Sequence, residues 1–184
     1  VIFTNSLLFI GIIVAEFALV IWLSAAAVKM SPSLATALFC GYSFLNGITL
    51  TSVLLVYTGV SVLSTFAITA GTFFFFSVYG ATTKKDLTSI GGLAMMGLIG
   101  VIIASVVNIF LKSPTLVWIT TFVGIAVFLG LIAYDTQKLN ALHAMGFESQ
   151  DMQNKLAILG ALTLYLDFIN LFLLLLRLFG RRRD

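Results

Sequence analysis

From Leu87 to Leu111 the chain runs without a single charged side chain, and five further stretches of similar length come close to the same condition. A hydrocarbon core about 30 Å thick is crossed by about 20 apolar residues in helical form. Within it every backbone amide and carbonyl must find its partner inside the segment. Runs of this length are therefore expected to be membrane-spanning helices. A β-barrel would need short segments of alternating polarity, which these runs lack. The rest of the chain offers little from which to build a soluble domain, because 60% of its residues are hydrophobic and 9% charged, too little polar surface for a globule of this size. The expected fold is an all-α, polytopic transmembrane helical bundle, a single domain over residues 1–184.

Six spans are expected, at residues 6–28, 33–57, 60–83, 87–111, 114–139 and 156–179. Turn signals separate most of them: Ser31-Pro32, Thr58-Gly59, Lys84-Lys85-Asp86 and Lys112-Ser113-Pro114. Such short links force neighbouring helices to pack antiparallel. Only residues 140–155, with His143, Glu148 and Asp151, read as a polar loop of any length. The first run follows Val1 directly, with no basic segment or small-residue cleavage site before it, so it reads as a span and not as a signal peptide. A chain starting on Val is expected to lack something upstream. With six crossings the ten basic residues divide equally between the two sides, Lys29, Lys84, Lys85, Lys138 and Lys155 against Lys112, Arg177, Arg181, Arg182 and Arg183. The bias that normally keeps Lys and Arg cytoplasmic therefore gives no orientation.

The residues that break the apolar pattern point to function. Asp167 lies in the middle of the last run, where an ionisable group costs at least a few kcal/mol and marks a functional site with a partner to be found. Gly160, Thr163 and Asn170 fall on the same helical face as Asp167 and make one small and polar stripe, which belongs against protein or water. Asp135, near the end of the preceding run, is the best partner. Two carboxyls together in a low dielectric share a proton and titrate as a pair, which makes them a physical pH sensor. For Asp167 to reach Asp135, its helix must start before Leu156, tilt or kink, because Asp167 otherwise sits about 16 Å inside it at 1.5 Å per residue.

Glu16, mid-way along the first run, could line a cation path with Asn46 and Thr49 of the second, or stand as a protonated structural acid. Gly97, Gly100, Ala104 and Asn108 have the spacing of a helix-packing face, and Thr65, Thr69 and Thr72 read as interhelical hydrogen-bonding groups. The run Phe73 to Phe76 reads as lipid-facing or packed aromatic bulk. His143 is expected to be solvated, and Arg177 with Arg181 to Arg183 to anchor in the headgroups, not to bind nucleic acid. Cys40 is the single cysteine, so no internal disulfide forms, and no Cys/His cluster has zinc spacing. No cofactor is expected.

Ala133-Tyr134-Asp135-Thr136-Gln137-Lys138-Leu139 and the segment from Ile158 to Phe172, which reads ILGALTLYLDFINLF, closely resemble the Bax-inhibitor (transmembrane Bax inhibitor motif) family. Residues 79–87 and 107–112 extend the resemblance over the whole chain, and the short loops resemble those of bacterial members, which implies the inner membrane. The family fold is a seven-helix bundle, three antiparallel pairs around a central last helix. On that pattern this chain is expected to supply helices two to seven. The resemblance implies an acid-sensitive Ca2+ leak whose pH sensor falls on Asp135 and Asp167, with Ca2+ as the permeant ion. Two departures stand out. Some relatives carry another acid where this chain has Thr163, and some bacterial relatives place an arginine in the helix that here spans residues 33–57 and carries no charge, so a latch from such an arginine to Asp135 does not carry over.

The leading expectation is a pH-sensitive cation leak, not an enzyme, with Asp135 and Asp167 as sensor and Glu16, Asn46, Thr163 and Asn170 as pore or stripe groups. The alternative is a non-conducting regulatory protein, partnered with a membrane protease complex as resemblance to bacterial relatives also allows. Tyr134-Asp135 has the look of an intramembrane aspartyl protease, but Asp167 follows Leu164-Tyr165-Leu166 where that class has Gly-x-Gly, and no Pro-Ala-Leu occurs. The common partner on every reading is the lipid bilayer.

Overall fold

Six helices form among the residues that the computed structural model describes, 6–26, 29–146 and 150–183. They are α1 (Ser6–Ala26), α2 (Pro32–Leu54), α3 (Gly59–Thr82), α4 (Thr88–Leu111), α5 (Pro114–Ala144) and α6 (Gln150–Phe179). Helices α2 to α6 are each long and apolar enough to cross a membrane. In the 21-residue α1, Glu16 is the one charged residue. Val1 and Glu148, which entered the sequence reading, lie outside the described residues.

The helix ends follow local chemistry. Ser31 and Ser113 cap α2 and α5, each with its hydroxyl accepting from the backbone N–H three residues on at 3.4 Å. Proline fills the first helical position of both, where the missing N–H would have no partner in any case. Helix α4 stops where Lys112 turns left-handed at φ 49°, and the Asn108 side chain accepts from Ser113 N at 2.9 Å to close the turn.

Helix α2 stops at Leu54, three residues before the expected end of its span, and two other boundaries differ more. Helix α5 continues to Ala144 and α6 begins at Gln150, so most of the expected polar loop is helical. The polar residues there mark where the helices leave hydrocarbon. They are not helix breakers, and none occurs before Gly146, whose φ of +61° suits glycine.

The described chain divides into two compact units, Val1–Gly59 with Gly146–Leu162 and Arg182–Asp184, and Val60–Met145 with Thr163–Arg181. In the first, α1 packs on α2 with Leu23, Ala35 and Tyr42 buried. The end of the chain pairs with the residues after α2, through Arg183 N donating to Val56 O at 2.9 Å and an antiparallel bridge of Tyr57 with Arg182.

In the second unit α4 and α5 run antiparallel at close range around Ala94, Val127, Phe128, Leu131, Ile132, Leu171 and Leu175. A methyl group placed on Gly91 would run into the Tyr134 ring, and one on Gly97 would meet Val127 at 2.7 Å. Gly130 faces Ala94 between them. The packing face of α4 is therefore Gly91, Ala94 and Gly97. Gly100 opens onto empty space, so the expected face is correct at Gly97 and displaced by about two turns toward the helix N-terminus. Helix α3 meets α5 still more closely, since a methyl on Gly80 would run into the Ala133 backbone carbonyl.

Thr69 donates to Thr65 O of its own helix at 2.8 Å and so does not bond across helices as expected. The phenylalanine run divides by helical position. Phe73 stacks edge-on with Phe168 at 5.4 Å, and Phe76 packs against the core. Phe74 and Phe75 face outward.

Candidate functional site

The extension of α5 to Ala144 places Asp135 about 14 Å inside its helix, at 1.5 Å per residue, instead of near the end. Asp167 is buried at 5% exposure in α6. The two carboxyls hydrogen-bond to each other within the second unit. Two ionised carboxylates have no hydrogen between them, so such a bond forms only when one of the two carries a proton. The other Asp167 oxygen, Oδ2, is buried with no partner, as is Thr136 Oγ1. Buried polar groups without partners are rare. Two such atoms among the described residues belong to the residue after Asp135 and to its partner; Thr65 Oγ1 and Ser77 Oγ on α3 are others.

Each residue of the segment 133–138 has a distinct physical task. The small Ala133 lets the α3 backbone approach at Gly80, and Tyr134 lies over Gly91 of α4. Asp135 meets Asp167. Gln137 joins α5 to the link between α3 and α4, accepting from Leu87 N at 2.9 Å and donating to Lys85 O at 2.8 Å. Lys138 sits 5.9 Å from the Tyr134 ring centroid and adds a positive field at Asp135. Asp135 is thus fixed on three sides by contacts of its sequence neighbours. Asp167 is flanked by Phe168, whose ring lies edge-on to Phe66 at 5.6 Å and to Phe73 at 5.4 Å.

Of the stripe residues, Thr163 is half-buried one turn before Asp167. Asn170 donates to Leu166 O of its own helix at 2.8 Å. Glu16 and Asn46 belong to the first unit. There Glu16 is buried, and the Thr49 hydroxyl donates to its Oε1. Thr49 is therefore brought to Glu16, a contact that a path-lining acid and a hydrogen-bonded structural acid would both make. Among the described residues no three His, Cys, Asp or Glu side chains gather as a metal site. The sequence reading passed over Gln137, Gly80 and Gly91. The glycines had a signal in principle, each being a small residue on a helix that turned out to be crowded, but an uncharged Gln two residues from an Asp carries none.

Long apolar helices carrying a buried Asp167 on α6 against a half-buried Asp135 on α5 define a multi-pass α-helical membrane protein. The family model described as Inhibitor of apoptosis-promoting Bax1 matches residues 1–184. The chain belongs to that family, the Bax inhibitors. The inner membrane protein YbhL of Escherichia coli strain K12 is 54% identical over 183 residues, which cover 98% of this chain and 78% of YbhL. A protein of Borreliella burgdorferi is 47% identical, over 100% of this chain and 79% of its own length. A membrane protein of Streptococcus pyogenes serotype M1 is 36% identical, over 95% and 75%. The place of this chain is the bacterial inner membrane, which it crosses several times.

Proposed function

We propose that the chain is a pH-sensitive leak for cations, Ca2+ among them, gated by the Asp135 and Asp167 carboxyls. The observation that carries this reading is the hydrogen bond between two acids on adjacent spanning helices. Loss of the shared proton would leave two negative charges in contact at low dielectric, and their repulsion favours separation of α5 from α6 at that level. A change of charge at a helix contact thus biases one arrangement of the helices against another. Glu16, held by Thr49, and Asn46 would line the path in the first unit, with Thr163 and Asn170 as polar groups of the second. Ca2+ takes six to eight oxygens when it is retained. A path with scattered oxygens suits brief, partly hydrated passage instead. On this reading the protein is not an enzyme, needs no cofactor, and works with the bilayer as its only required partner.

Ion flux into proteoliposomes tests the proposal. Flux through the wild type is expected to change between about pH 6 and about pH 8, the range in which buried carboxyl pairs can titrate. In Asp135→Asn/Asp167→Asn that change is expected to vanish. Equal pH dependence in both proteins would remove the sensor. No flux from either, together with co-purification of a membrane protease complex, would favour the non-conducting regulator.

A further inference from the structure

The link between α3 and α4 is only Thr83 to Leu87, too short to carry the chain away from the bilayer. It therefore lies at the level of the headgroups. Gln137 bonds to Lys85 and Leu87 of this link, which brings the last turns of α5 to the same level. Between them is an open cleft of about 380 Å3, lined by Lys84, Lys85, Asp86, Tyr134, Gln137 and Lys138 among others. That volume falls in the range of small-ligand sites. Lys84 and Lys85 are exposed and form no ion pair among the described residues. Lys138 rests near the Tyr134 ring. The carboxylate in the cleft, Asp86, is occupied locally, its Oδ1 accepting from Thr88 N at 2.9 Å and from Thr88 Oγ1 at 2.6 Å. Three ammonium groups thus face one carboxylate in the cleft; Lys138 also acts on Asp135, which leaves the charge of Lys84 and Lys85 without an ion-pair partner among the described residues.

We propose that this cleft seats the phosphate group of an anionic phospholipid, with Lys84, Lys85 and Lys138 as its ligands. Lysine suits this task because its ammonium is a compact point charge on a stem that lies along apolar surface while the head stays in water. The cleft opens at headgroup level, where phosphate is supplied by the bilayer itself. A zwitterionic headgroup brings its own cation and gains less from the excess charge. Each basic residue near an anionic surface is worth about a fivefold gain in binding, so the two link lysines together account for about 25-fold.

Native mass spectrometry of the whole protein in mild detergent, titrated with phosphatidylglycerol, phosphatidylcholine or inorganic phosphate, tests the site. The wild type is expected to take up one phosphatidylglycerol well ahead of phosphatidylcholine. Lys84→Gln/Lys85→Gln is expected to lose about 25-fold, Lys138→Gln on a separate element about fivefold, and Arg181→Gln/Arg182→Gln nothing. Lys84→Arg/Lys85→Arg should bind as the wild type does. Undiminished phosphatidylglycerol uptake in both lysine-to-glutamine variants, or equal uptake of the two lipids by the wild type, would overturn the proposal. Displacement of phosphatidylglycerol by inorganic phosphate at matching concentration would also overturn it, because the site would then belong to a soluble anion.

Discussion

Asp167 persists in an apolar helix because its cost is shared. A lone ionised carboxylate in hydrocarbon would cost at least a few kcal/mol, but a proton held in common with Asp135 would let one group stay neutral and donate to the other. Asp135→Ala takes that partner from Asp167, whose Oδ2 is already buried without one, and is expected to cost about 1–3 kcal/mol in thermal unfolding in detergent. Asp135→Asn, whose amide can still donate, should cost clearly less. At Gln137 the side chain satisfies two backbone groups at once, so Gln137→Ala should lose about 1–2 kcal/mol in the same measurement. The sequence showed Asp167 and Asp135 because charge is conspicuous in apolar text. Gln137 carries no such contrast, and its role follows only from where the link between α3 and α4 happens to lie.

At the level of elements, α4 and α5 are held by small residues set against large ones. Gly80→Ala and Gly91→Ala would each drive a methyl into occupied space, and the helices would have to move apart. Overpacking of this kind costs about 1–3 kcal/mol. Gly100→Ala should leave the thermal midpoint essentially unchanged, because nothing lies within reach of the added methyl. The start of α4 carries a pH dependence of its own. Bonds from the Thr88 hydroxyl and then the Thr88 backbone hold the Asp86 carboxyl below the usual carboxylate range. A group depressed in the folded state stabilises above its unfolded value of about 3.9 and loses that contribution as pH falls through the lower folded value. The difference in melting temperature between the wild type and Asp86→Ala should therefore be present at neutral pH and shrink as the pH drops below about 4. Helix extents were legible wherever a breaker stands at the end, as at Ser113-Pro114. They were misread at residues 140–155, where polarity stood in for a break that the backbone does not make.

Across the molecule the carboxyl pair and the lysine cleft lie on the same stretch of α5, three residues apart at Asp135 and Lys138. The hydrogen-bonded arrangement of the pair requires its proton, so it is the low-pH end of the proposed equilibrium. Spin labels on α5 and α6 flanking Asp135 and Asp167 should report a longer separation as pH rises. In Asp135→Asn/Asp167→Asn the separation should not respond to pH. A wild-type distance that stays fixed from about pH 6 to about pH 8 would mean that the pair does not move the helices.

The sequence alone determined that this is a multi-pass helical membrane protein, roughly where its helices lie, and which acids are anomalous. Helix formation in lipid is a local matter, set by the length of an apolar run and by backbone groups that pair within four residues. The tertiary structure decided which faces meet: Gly91, Ala94 and Gly97 in place of Gly100 and Ala104, Asp167 on Asp135, Thr49 on Glu16, and three lysines around one cleft. Hydropathy cannot choose among these faces, because lipid tails are as apolar as a leucine side chain and a helix gains little by turning one apolar face inward over another. Close packing and the pairing of the few polar groups make that choice, and both depend on residues far apart in the chain.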